Sequence, residues 1–126
     1  MKLQTLMIIK AAVCVSLGAP ILFAPVFLYS LFGASLSAGG VFAAREYGAS
    51  LIGNLMITWF ARKAADSEAR RAIILGLCVY DAIGFIITLV ALKIGALGLL
   101  GWFAAAIYLF FAIGFGCFLL PQKNAA

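Results

Sequence analysis

Four long apolar runs, broken by short polar or glycine- and proline-bearing stretches, make up almost the whole chain. They predict helices at about residues 4–23, 41–61, 68–93 and 99–120. Each run is near the ~20 residues that cross about 30 Å of hydrocarbon. Helices satisfy their own backbone groups there, so the expected fold is all-α: one transmembrane domain spanning residues 1–126, built as a four-helix bundle. The hairpin from Val41 to Lys93 holds two of the runs and most of the charge, and is expected to organise the rest.

The punctuation refines this picture. Pro20 is expected to kink the end of the first helix, and Pro25 to open a short interfacial segment, Val26–Phe32, with Phe27 and Tyr29 near headgroup level. Ser35–Gly40 reads as a turn, with Ser37 as cap and Gly39-Gly40 as a flexible break. Asp66 or Ser67 caps the third helix, and Glu68 in its first turn suits the helix dipole. Ile94–Gly101 is a tight turn, and Pro121 stops the last helix before the polar tail Gln122–Ala126. The N-terminal apolar stretch continues to Phe32, too long for a short signal-peptide core, and no clear A-x-A site follows it. It is read as a membrane helix.

Composition agrees. The chain is 67% hydrophobic and 10% charged, against roughly half and a quarter in soluble domains. The net charge of +5 comes from cations at the ends of apolar runs rather than from a basic tail, so anionic lipid headgroups are the expected counter-charge, at about 1 kcal/mol per juxtamembrane cation. Nucleic acid is not an expected partner. Lys2, Lys10, Arg62, Lys63, Arg70, Arg71 and Lys123 fall on one side of a four-pass chain, and only Lys93 and the deeper Arg45 on the other. By the positive-inside rule both termini are expected to be cytoplasmic. Lys10, inside the first run, is expected to snorkel outward.

Arg45, Glu46 and Asp81 are charged groups within the hairpin's apolar runs, and therefore costly. At about 100° per residue, Tyr47, Ser50, Asn54 and Thr58 share a face of the second helix, with Glu46 on its flank; Cys78, Asp81 and Thr88 share one on the third. Folding the hairpin near residue 67 brings Asn54 and Asp81 to similar depth, so the Asn54 amide is expected to donate to Asp81. A carboxylate at that depth is paired or protonated. It either glues two helices, a contact worth about 1 kcal/mol, or serves as a proton site. Arg45 either snorkels or reaches a carboxylate on a neighbouring helix. Glu46 pairs with Arg45, with Lys93 or with a partner subunit.

Ala49-x-x-x-Gly53 permits close helix approach. The aromatic fourth run, with Trp102, Phe103, Tyr108, Phe110, Phe111, Phe115 and Phe118, is expected to face lipid or a partner. Cys14, Cys78 and Cys117 lie apart in apolar runs and read as small buried hydrophobes rather than a disulfide or metal framework. There is no histidine. No nucleophile–base pair, paired catalytic carboxylates or phosphate loop appears, so no catalytic, cofactor or metal site is assigned.

Phe23-Ala-Pro25 leading to Gly33, then Ala44-Arg-Glu-Tyr-Gly-Ala-Ser-Leu-Ile-Gly53, Trp59-Phe-Ala-Arg62 and Asp66-x-Glu-Ala-Arg-Arg71, resemble a group of small bacterial four-helix membrane proteins. That resemblance implies the same architecture and carries no activity to transfer. The size is also similar to that of small multidrug-resistance transporters. Their hallmark acid in the middle of the first helix is missing here. The expectation is a non-enzymatic accessory, scaffold or assembly subunit, acting through contacts with itself or a larger membrane complex. The alternative is an oligomeric proton-linked carrier or channel using Asp81, its path lined by Glu46, Tyr47, Ser50 and Asn54.

Overall fold

The computed structural model describes residues 1–121, so the tail at 122–126, with Lys123, lies outside it. Among the described residues every regular element is an α-helix: α1 (Leu3–Phe23), α2 (Pro25–Leu31), α3 (Ala38–Ala61), α4 (Glu68–Lys93) and α5 (Leu100–Leu119). α1, α4 and α5 are long and apolar enough to cross a membrane. α3 is equally long, but Arg45, Glu46 and Asn54 dilute its hydropathy.

Local chemistry sets the boundaries. Pro25 occupies the first turn of α2, where a missing N–H costs nothing. Ser67 caps α4, its side chain accepting from the Arg70 N–H at 3.1 Å, with Glu68 in the first turn and Lys93 in the last. Ser37 caps α3 in the same way, accepting from Gly40 N–H at 3.1 Å. Gly39 and Gly40 therefore belong to the first turn of α3 instead of forming a break before it. α1 runs through Pro20 to Phe23.

The packing differs from the expected arrangement around the α3–α4 hairpin. The closely packed pairs are α1 with α3 and α4 with α5, each antiparallel, whereas the consecutive helices α3 and α4 are not packed along each other. Small residues explain the first pair. A Cβ added to Gly48 would stand 2.8 Å from the Leu22 amide nitrogen and 3.1 Å from the Gly18 carbonyl oxygen, so the two backbones touch. In the second pair the Tyr108 ring lies over Gly84, in space any side chain would occupy. The Cys78 thiol also donates across this pair to the Ala112 carbonyl at 3.4 Å.

The two pairs join through α1. Its buried stripe, Leu6, Met7, Lys10, Ala11, Cys14, Gly18 and Ile21, follows the helical repeat. Leu6 and Met7 meet Ile74 and Leu77 of α4 and Phe111 and Phe115 of α5. The rings of Phe111 and Phe115 stack at 6.1 Å. The aromatics of α5 are thus divided: Phe111 and Phe115 are core, while Trp102, Phe103 and Phe110 face outward. The outer surface is largely apolar, with Phe60 at 76% and Ile87 at 62% exposure. A hydrocarbon solvent suits that surface, since water would oppose it.

Gly48→Ala is expected to wedge α1 from α3 and lower stability by about 1–3 kcal/mol. A Cβ at Gly53 meets nothing within 4 Å, so Gly53→Ala leaves the isolated protein unchanged. Unfolding of the two variants by SDS titration from mild detergent measures the difference.

Candidate functional site: a buried ion pair and a tyrosine cluster

The interior polar site is built where α1 faces the α4–α5 pair. Lys10 and Asp81 form a salt bridge there, with residue exposures of 3% and 0%. Lys10 therefore does not snorkel. It lies on the same buried stripe as Met7, Cys14 and Gly18, and Gly18 packs directly on Gly48 of α3. The ammonium also lies 4.6 Å from the centre of the Phe111 ring and 5.2 Å from that of Tyr80, within cation–π range. Asp81 uses one carboxylate oxygen, Oδ1, for this pair, and Oδ2 is buried without a hydrogen-bond partner among the described residues.

Beyond the ion pair lies a tyrosine cluster. The Tyr47 and Tyr108 hydroxyls hydrogen-bond to each other, linking α3 to α5. The Tyr80 ring, on α4, packs 6.4 Å from Tyr108 at an angle of 57°. Its hydroxyl is buried and makes no hydrogen bond among the described residues. Gly84 determines where the Tyr108 ring lies, and the Thr88 hydroxyl turns back to the Gly84 carbonyl at 2.8 Å.

The expected residues do not form one network among the described residues. Asp81 is buried and paired, but with Lys10 in place of Asn54. The physical reason is the packing: α1 stands against the α4–α5 pair where α3 was expected. Asn54 is half-buried, and its backbone carbonyl accepts from the Thr58 hydroxyl at 2.8 Å. Tyr47 does reach the interior, through Tyr108. Ser50 is exposed and donates to the Glu46 carbonyl at 3.1 Å. Arg45 and Glu46 are exposed on the outer face of α3, and neither enters an ion pair among the described residues. Glu46 does not meet Lys93, because α3 and α4 are not packed together. Of the cysteines, Cys14 is buried, Cys78 half-buried and Cys117 exposed, so the last is not the expected buried hydrophobe.

Lys10, Tyr80 and Tyr108 were absent from the expected site. Lys10 carried a usable signal: Met7, Lys10, Cys14 and Gly18 share one helical face, and Asp81 needed a cation at depth. The tyrosines carried none beyond their polarity. Among the described residues no three His, Cys, Asp or Glu side chains gather as a metal site needs. Comparison with family models, with curated proteins and with solved structures finds no match to this chain.

Removing one member of a buried pair leaves the other uncompensated. Lys10→Met and Asp81→Asn are each expected to cost about 3–5 kcal/mol. The double variant recovers most of that loss, and a double-mutant cycle on detergent unfolding measures the coupling.

Proposed function

We propose that this is a small integral protein of the bacterial cytoplasmic membrane, in which α1, α3, α4 and α5 cross as a four-helix bundle. In this reading α2 lies at the interface and both termini are cytoplasmic. It acts without catalysis, as an accessory, scaffold or assembly subunit, by docking a helix face against another membrane protein or a second copy.

The outer face of α3 carries this reading. Arg45, Glu46 and Ser50 are exposed there beside Ala49 and Gly53, where a Cβ at Gly53 would meet nothing. Charges directed at lipid are costly, whereas small residues next to them allow a second helix to approach closely. A docked helix supplies partners for Arg45 and Glu46 and covers the small-residue surface. The basic turn supports the assigned orientation: Arg62, Lys63, Arg70 and Arg71 crowd one end, with Arg70 only 3.7 Å from Asp66.

Native mass spectrometry of the protein, gently extracted from its own membrane, is the test. The expected result is a stoichiometric complex with a larger protein or with a second copy, lost in Gly53→Leu and Glu46→Gln while the isolated chain stays folded. A wild-type protein that emerges only as a monomer overturns the reading.

The buried Asp81, with one oxygen unpaired among the described residues, favours a second reading as a proton-linked oligomeric carrier. Glu46 and Ser50 lie on the outer face, so they would line a path only between subunits. Proteoliposomes carrying the wild-type assembly should then pass protons, and Lys10→Met/Asp81→Asn should not. No wild-type flux rules this reading out.

A further inference from the structure

A cavity of about 140 Å³ lies among α1, α2, α3 and α5, lined by Lys10, Cys14, Leu28, Tyr47, Leu51 and Tyr108 among others. Its walls are mostly hydrocarbon, and an engineered apolar cavity of about 150 Å³ takes up benzene. Lys10, Tyr29, Tyr47 and Tyr108 bring polar side chains to this wall, each able to donate a hydrogen bond. Lys10 has three N–H groups, and its one hydrogen-bond acceptor among the described residues is Asp81. Tyr47 and Tyr108 bring hydroxyls to the same wall, bonded to each other. Asp81 already neutralises the Lys10 charge, so a second anion would be left without a counter-ion. A neutral molecule with an acceptor oxygen fits that balance.

From this geometry we infer that the cavity is a binding site for a neutral, ring-sized apolar molecule bearing one acceptor oxygen, a phenol or small ketone, with that oxygen on the Lys10 ammonium. The ring occupies the hydrocarbon part of the cavity against Leu28 and Leu51. α2 closes the outer side, its C-terminal end tied down by the Gly98 N–H donating to the Phe32 carbonyl at 2.7 Å. The inference does not depend on helix docking by α3, since the cavity and the outer face of α3 are separate surfaces.

The probes are 4-fluorophenol and fluorobenzene, added to methyl-labelled protein in lipid nanodiscs and followed by NMR. Both partition into lipid, so the informative signal is a saturable nuclear Overhauser contact to the Leu51 methyls, which are buried from the bilayer. The expected result is that contact, with 4-fluorophenol binding ~10-fold more tightly than fluorobenzene, as one charge-assisted hydrogen bond allows. In Lys10→Met/Asp81→Asn the preference should fall to about one while the contact persists. Ala104→Phe, which fills the cavity, should abolish the contact for both probes; if it fails to fold, the preference measured in the double variant still decides. Contacts confined to lipid-facing methyls such as Ile87 overturn the proposal. So does an equal affinity for both probes in the wild type, or a lipid acyl chain in the cavity that 4-fluorophenol does not displace.

Discussion

Burying an ammonium and a carboxylate in an apolar interior costs several kcal/mol for each ion, and their attraction offsets this only when they are held in contact. Lys10 and Asp81 stand under that constraint, and most of the packing serves it. To bring Lys10 inward, α1 must present the face that also carries Met7, Cys14 and Gly18. That rotation sends Gly18 against Gly48 of α3 and Leu6 and Met7 against the core of α4 and α5. The pair thus fixes α1 about its own axis, and α1 in turn joins two helix pairs that otherwise share few contacts. A purely apolar α1 would have several acceptable rotations; this one has a single rotation that leaves no cation stranded.

The same arrangement separates inner from outer polarity. Inside are the ion pair and the tyrosine cluster, contributed by α1, α3, α4 and α5 and adjoining a cavity of ligand size. Outside is the α3 face with Arg45 and Glu46, which nothing within the described residues neutralises. The interior holds the chain together around that cavity. The exterior carries charges on α3 that enter no ion pair among the described residues.

Much of the secondary structure was legible because its signals are local. Ser37, Pro25, Ser67 and Glu68 act on the backbone within one turn, and the lengths of the apolar runs follow from the thickness of a bilayer. The helix pairing was not legible. Sequence order favours packing α3 on α4 through their short connection, yet Gly18 and Gly48 allow a closer approach between α1 and α3, and Gly84 accepts the Tyr108 ring from α5. That choice decided the site. With α1 against the α4–α5 pair, Asp81 meets Lys10, and Asn54 is left to its own helix. Tyr47 reaches the interior because its face of α3 turns toward Tyr108. Arg45, Glu46 and Ser50 do not, because the close face of α3 is the one bearing Ala44, Gly48 and Leu51.

The most direct test is a rotational-echo dipolar recoupling experiment on the protein in lipid bilayers, with 15N on the lysine side chains and 13C on the aspartate carboxylates. Because Lys10 and Asp81 are in contact, the account predicts one buried Lys–Asp pair within ~4 Å, lost in Asp81→Asn, with the Lys10 nitrogen remote from lipid phosphorus. A Lys10 nitrogen that instead dephases against 31P and not against Asp81 would place this side chain among the headgroups. It would contradict the arrangement of α1 from which the rest of the account follows.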